Sequence, residues 1–141
     1  MTKVGLDVGT VRIGVAVSDP TETIAGGYET FFRTKNYEKD LTAIAAIAAE
    51  KKADAFVIGL PVNMDGTEGE KAEEIREFAD DLSRFTDAKI VFQDERLSTV
   101  SAEKMLIESG MRREKRKQVI DKVAATIILQ TYLDKMKNIN N

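Results

Sequence analysis

The first residue that could do chemistry is Asp7, an acid inside the apolar run Val4–Gly9. A second run, Ile13–Ser18, follows closely. Because side chains alternate between the faces of a strand, Asp7 shares its face with small residues, while the bulky side chains share the other. A buried carboxylate either becomes neutral or acquires a cation or hydrogen-bond donors. The cleared space beside Asp7 therefore predicts a docking site, and a metal ion that holds a phosphate is one candidate.

Two further acids stand at informative positions. Glu95 follows the fifth predicted strand, where α/β proteins collect their ligands; the alternative is a solvated charge that caps the next helix or pairs with Arg96. Asp121 lies in a predicted helix at the border of its apolar stripe, on the same side as Ala124–Ala125. Its alternative is an ion pair with Lys117 one turn earlier. Both alternatives remain open at the level of sequence.

The residue types present restrict the chemistry. The chain has no histidine and no cysteine, which excludes Ser–His–Asp and Cys–His nucleophiles and zinc sites built on those residues. Carboxylates bind hard cations, so Mg²⁺ or Mn²⁺ is expected. Two-metal nucleases need acids that converge from separate elements. Asp7, Glu95 and Asp121 come from a strand, a strand end and a helix, which suits that geometry.

Composition sets the class of protein. The 141 residues, 43% hydrophobic and 32% charged, predict one domain over residues 1–141. No apolar stretch could span a bilayer and the chain runs straight into a strand, so we expect no signal peptide, no membrane partner and a cytoplasmic location. The net charge of −3 argues mildly against nucleic-acid binding. However, the charge is polarised between acidic Glu68–Asp81 and basic Arg112–Lys117.

The elements that must position these acids follow from hydrophobic periodicity. After the first two strands the pattern predicts a turn at Gly26–Gly27 and a third strand at Tyr28–Arg33. Helices and strands then alternate: a helix at Tyr37–Lys52, a strand at Ala55–Leu60, the acidic helix, a strand at Lys89–Gln93 and a helix at about Thr99–Ser109. A last helix is predicted at Lys115–Lys137. This order indicates an α/β fold with a five-stranded mixed sheet flanked by helices, the first three strands antiparallel. It fits a ribonuclease H-like sheet with the first strand central.

Other motifs are less specific. Asp7–Thr10 resembles the first phosphate loop of actin-like and sugar-kinase ATPases, but those enzymes enclose a nucleotide with a second domain for which this chain is too short. Gly59–Asn63 fits either a substrate loop or a strand exit. The run Arg112–Lys117 is most often a solvated loop. Its interest is that it leads into the helix of Asp121.

Four separated motifs together resemble the YqgF/RuvX family of small bacterial nucleases. They are Gly5–Gly9 with Arg12–Ala16 and Ser18–Asp19; Gly59–Pro61 with Asn63 and Asp65–Gly66; Asp94–Thr99; and Asp121 with Ala124–Ala125 and Ile128–Leu129. The resemblance covers nearly the whole chain in order. It implies a ribonuclease H-like fold related to Holliday-junction resolvases and a metal-dependent nuclease that matures the 5′ end of pre-16S ribosomal RNA. The catalytic acids and metal ligands would be Asp7, Glu95 and Asp121.

The chain departs from the related junction resolvases in two ways. Those enzymes carry their middle acid on the strand beside the first one, where this chain has Gly59–Pro61, so Glu95 must reach across from the fifth strand. They also carry a fourth acid one turn from the helical aspartate, where this chain has Gln118 and Ala124. A site of three acids is expected to hold its second metal loosely.

We therefore predict a phosphodiesterase, dependent on Mg²⁺ or Mn²⁺, that acts on structured RNA. The side chains expected to hold backbone phosphates are Arg12, Arg96, Arg112, Arg113, Lys115, Arg116 and Lys117, and Asn63 is expected to contact the substrate. One alternative is a resolvase of four-way DNA junctions, which calls for a dimer; monomer and homodimer both stay open. Others are a nucleic-acid-binding protein without turnover and an actin-like ATPase fragment.

Overall fold

The computed structural model describes residues 1–95 and 104–140, with the backbone alone at positions 117, 118 and 140. Its strands and helices follow the predicted order. They are β1 (Thr2–Val8), β2 (Arg12–Ser18), β3 (Ala25–Phe32), α1 (Tyr37–Lys51), β4 (Ala53–Leu60), α2 (Glu70–Ser83), β5 (Lys89–Asp94) and α3 (Arg113–Asn140). Residues 104–108 are also helical.

The five strands form one mixed sheet in the order β3-β2-β1-β4-β5. β1 is central, and it pairs antiparallel with β2 and parallel with β4. β3 extends the antiparallel side and β5 the parallel side. The parallel pairs are reached through α1 and α2, since a parallel connection requires a crossover. This topology confirms the predicted fold class, including the three antiparallel strands.

One face of the sheet carries the larger hydrophobic core. It packs against α1 and α2, and its members from the strands are Val4, Leu6, Val8, Ile13, Val15, Phe56, Ile58 and Leu60. α1 is capped by Asn36, whose side chain accepts a hydrogen bond from the Lys39 backbone N–H at 3.1 Å. The helix buries an apolar stripe on this face. Each fully buried large side chain contributes about 1.5–3 kcal/mol. The predicted assignment of side chains to the two faces is confirmed.

The opposite face carries α3 on small residues. Ala16 and Val57 of the sheet pack against Ala125, Ile128, Leu129 and Leu133 of the helix. A Cβ at Gly5 would lie 2.7 Å from Leu129 Cβ, so a side chain there would push the helix away. The small residues around Asp7 therefore serve first to let α3 lie close to the sheet.

Two predictions of local structure need correction, and a third is described only in part. Gly26–Gly27 is not a turn before the third strand but part of β3. A Cβ at Gly27 would lie 3.3 Å from the Cβ of Lys122, so the glycine leaves room for that side chain. The basic run is not a loop: from Arg113 onward it is helical, as arginine, lysine and glutamate favour. The helix predicted at Thr99–Ser109 is described only from residue 104, and its first part lies outside the described residues. In the described part of the chain, no helix is both long and apolar enough to cross a membrane.

Candidate active site

The candidate site lies where the parallel strands end. β1, β4 and β5 run in the same direction, so their carboxyl ends share one edge of the sheet. Asp7 lies one residue before the end of β1, and Glu95 directly follows β5. The Glu95 backbone N–H donates to the Leu60 carbonyl at 3.1 Å, which holds the exit of β5 against β4.

Glu95 reaches over β4 because Gly59 has no side chain. A Cβ at Gly59 would lie 2.9 Å from Oε2 of Glu95 and 2.5 Å from Cδ1 of Ile128. The glycine therefore leaves a channel across the strand that separates β5 from β1. The expectation that Glu95 crosses from the fifth strand agrees with this geometry. The sequence left Gly59–Asn63 open between a substrate loop and a strand exit, and Gly59 itself is the gap through which the acid passes.

Asp7 and Glu95 form a hydrogen-bonded carboxyl pair. Burial, followed by the charge of Asp121, raises the pKa of Asp7 to about 6. Burial, followed by the charge of Asp7 and the hydrogen bond to it, raises the pKa of Glu95 to about 8. The Glu95 hydroxyl therefore donates to the Asp7 carboxylate near neutral pH. Two acids that share one proton in this way occupy a place that a cation could take.

Asp121 is brought to the same place by α3. Its backbone rests on Gly14, and Gly14 is the cross-strand partner of Asp7. The carboxyl oxygen Oδ2 of Asp121 is buried and has no hydrogen-bond partner among the described residues. The Nε atom of Arg12 lies 2.9 Å from that oxygen, which makes an ion pair but lacks the geometry of a hydrogen bond. The predicted alternative, an ion pair with Lys117, involves a side chain that the structure does not describe.

The donor set fits a hard divalent cation. The candidate ligands are carboxylate oxygens, which Mg²⁺ and Mn²⁺ prefer, and the set includes a shared proton and an orphaned oxygen. As the side chains stand, the described residues contain no group of three acidic side chains arranged around one metal position. Asp7 and Glu95 form the close pair in this structure, and Asp121 is ion-paired with Arg12 beside them.

Lys71 is a site residue that the sequence analysis missed. It lies in the first turn of α2, and its charge lowers the pKa of both Asp7 and Glu95 against the effect of burial. The sequence did contain a signal, since Lys71 and Arg76 are the only cations in the acidic segment Glu68–Asp81. At the level of sequence, this segment is only the acidic part of a polarised chain. The fold turns Lys71 toward the carboxyl pair.

The other predicted substrate contacts that the structure describes lie on the loop after β4 and around the start of α3. Asn63 is exposed in a turn, where its side chain donates to Thr67 Oγ1 at 2.9 Å. The basic side chains precede Asp121 on the first turns of α3: Arg113 and Lys115 are exposed, as is Arg112 just before the helix, and Arg116 donates to the Met111 carbonyl at 3.0 Å. Arg96 lies outside the described residues, and so does the side chain of Lys117. These residues remain predicted phosphate contacts.

Comparison with known proteins bears on this site. A family model described as RuvX, Holliday junction resolvase, matches residues 1–135. Two proteins that carry the name "putative pre-16S rRNA nuclease" are similar to this chain. The protein of Nitrobacter hamburgensis is 53% identical over 94% of this chain and 81% of its own length. That of Ruegeria pomeroyi is 48% identical over 96% and 87%.

A solved structure supports the fold. Thermus thermophilus RuvC in complex with a Holliday junction substrate superposes with a TM-score of 0.56, covers 96% of both chains and is 12% identical. At that identity the likeness concerns the fold alone. The sheet with α3 packed across its small-residue face is thus a ribonuclease H-like fold, as predicted.

Proposed function

The chain belongs to the RuvX family of Holliday junction resolvases, and on that footing we propose that it is a divalent-metal-dependent nuclease that hydrolyses RNA phosphodiester bonds. Its proposed role is 5′-end processing of pre-16S ribosomal RNA in the cytoplasm. The observation that carries the proposal is the Asp7–Glu95 pair, which is half-buried at the carboxyl edge of the sheet with Asp121 beside it. The names of the similar proteins support the choice of substrate.

Each polar group of the site has a role in this proposal. Asp7 and Glu95 would hold Mg²⁺ or Mn²⁺, joined by Asp121 once Arg12 releases it. The bound ion supplies charge stabilisation at the phosphate and lowers the pKa of water. Glu95 must give up its proton for the ion to bind, because a protonated carboxyl is a poor ligand. Arg12 and Lys71 add positive charge where a phosphate would approach the acids, which favours binding of the scissile group.

The test is cleavage of an extended pre-16S RNA with and without Mn²⁺, with the new ends mapped. We expect new 5′ ends that depend on the metal. Asp7→Asn should abolish them while RNA binding stays largely intact, because the substitution preserves shape and removes a ligand charge. Metal-dependent ends that persist in Asp7→Asn would contradict the proposed site. Binding by the wild type without any cleavage would favour a nucleic-acid-binding protein.

A second candidate, resolution of four-way DNA junctions, is favoured by the description of the family model. It requires two active sites related by a two-fold axis. A parallel assay with a four-way junction, combined with sedimentation to measure the oligomeric state, separates the two substrates. We expect the RNA precursor to be cleaved and the junction to be cleaved poorly or not at all.

A further inference from the structure

We propose that Phe32 and Arg12 form a subsite for an unpaired nucleotide that adjoins the scissile phosphate. The inference deepens the proposed function and rests on it, because it assumes that a nucleic-acid strand reaches the acids. It adds the position of the subsite and the kind of nucleotide that fits it.

Phe32 is exposed where the fold does not use it. It is the last residue of β3, which is an edge strand, and 66% of its surface is accessible. The preceding residue, Phe31, points to the other face and packs against the main core. Packing therefore accounts for Phe31, whereas the Phe32 ring belongs to neither hydrophobic cluster of the described residues.

The sheet register places Phe32 on the face of the acids. Phe32 is the cross-strand partner of Arg12, and two residues along the same strands Thr30 is the partner of Gly14. Gly14 is in turn the partner of Asp7. Because cross-strand partners and residues two apart share a face, Phe32, Arg12 and Asp7 lie on one side of the sheet. Standard strand spacings put Phe32 about 10 Å across the sheet and about 7 Å along it from Asp7.

Arg12 supplies the charge that accompanies the ring. Its side chain is 43% exposed, and its Nε atom reaches Asp121. A cation beside an exposed aromatic ring is the combination that binds single-stranded nucleic acid, in which the cation holds a phosphate and the ring stacks on a base. A base inside a duplex is already stacked on both sides and cannot lie on the ring, so the subsite selects an unpaired nucleotide.

The test uses the absence of tryptophan from this chain. Phe32→Trp places the only tryptophan at the subsite and keeps a stacking surface. In metal-free buffer, where no cleavage occurs, the probes are a single-stranded RNA oligonucleotide, the same strand with abasic positions, and a blunt RNA duplex. We expect the single strand to quench tryptophan fluorescence, and the duplex and the abasic strand to quench it weakly.

A matched pair of variants measures the contribution to binding. Phe32→Ala should weaken binding of the single strand about tenfold, as expected for the loss of one stacked base, with little effect on the duplex. Ile24→Ala is the control, because Ile24 is also 66% exposed but follows β2 at the opposite end of the sheet from Asp7. It should bind as the wild type does.

Several results would overturn the inference. These are wild-type affinity in Phe32→Ala, equal quenching by duplex and single strand, or no binding of the single strand by the wild type. A shift in oligomeric state of Phe32→Ala, seen by sedimentation without a change in RNA affinity, would assign the ring to a contact between copies of the chain. The proposed function fails separately: quenching as expected, with no cleavage by the wild type in Mn²⁺, would keep the subsite and reject the nuclease.

Discussion

Asp121 lies against Gly14 so closely that a Cβ on the glycine would overlap the carbonyl oxygen of the aspartate. Because Gly14 is the cross-strand partner of Asp7, this contact fixes the distance between the acid of the helix and the acid of the strand. The relative position of Asp7 and Asp121 is thus set by the packing of their backbones rather than by contacts of their side chains. The consequence can be tested by adding a single methyl group.

Gly14→Ala should push α3 away from the sheet around Asp121. We expect it to reduce the free energy of unfolding by about 1–3 kcal/mol, the usual effect of overpacking, and to weaken Mn²⁺ binding because Asp121 moves away from Asp7. Chemical denaturation and calorimetry measure the two effects. Gly26→Ala is the control, since a Cβ there meets no atom within 4 Å. Equal stability of the two variants would show that the helix accommodates the methyl group.

The carboxyl pair predicts how the stability of the metal-free protein depends on pH. The pKa of Asp7 rises from 3.8 to about 6 and that of Glu95 from 4.5 to about 8 on folding, so the folded state binds more protons than the unfolded state. The stabilisation that these protons give to the folded state is fully present below about pH 4 and is lost as the pH rises through 6 and 8. The melting temperature should therefore fall across that range without metal, and fall less in Asp7→Asn.

Added Mg²⁺ should reverse this trend, because the ion replaces the shared proton. The increase in melting temperature caused by Mg²⁺ should be small at pH 5 and larger at pH 8. Differential scanning calorimetry at the two values measures it. An increase that is independent of pH would show that the ion binds away from the Asp7–Glu95 pair.

Arg12 should compete with the metal for Asp121. The Nε atom of Arg12 forms an ion pair with Oδ2 of Asp121 at 2.9 Å. Arg12→Ala should therefore tighten Mn²⁺ binding in the absence of nucleic acid, even as it weakens binding of RNA. Titration calorimetry with Mn²⁺ tests the first effect. The double variant with Asp121→Asn should lose the gain, and a gain that survives in it would disprove the competition.

Lys71 should set the pH at which the pair ionises. Its charge lowers the pKa of both Asp7 and Glu95, so Lys71→Met should raise both values and shift the pH dependence of Mn²⁺ binding upward. Lys39→Met, on the exposed surface of α1, is the control. An unchanged pH profile in Lys71→Met would remove Lys71 from the site.

Much of this architecture follows from local pattern. The alternation in β1 and β2 predicted both faces of the sheet, and the isolated acid Asp7 marked the site. The convergence of Glu95 on Asp7 could be proposed from two-metal chemistry and the family resemblance, but local pattern could not establish it, because it depends on the gap at Gly59 in the intervening strand. Periodicity cannot show such long-range contacts.

What local pattern missed was decided by tertiary contacts. Gly26–Gly27 has the composition of a turn, yet the pair forms part of β3, where Gly27 lies against α3. Lys71 lies in a strongly charged segment of the sequence. The packing of α2 brings its charge close enough to act on Asp7 and Glu95. The ion pair of Arg12 with Asp121 joins residues that are far apart in sequence. No spacing rule connects them.

The central claim is tested most directly by measuring Mn²⁺ binding to the wild type, Asp7→Asn and Glu95→Gln at pH 8. Titration calorimetry or the electron paramagnetic resonance of the ion can be used to measure the affinity. If the half-buried Asp7–Glu95 pair is the metal site, each variant should lose affinity by at least about tenfold, since even partners outside the ligand shell contribute that much. Both variants should keep their fold, as judged by circular dichroism. Wild-type affinity in both variants would contradict the account.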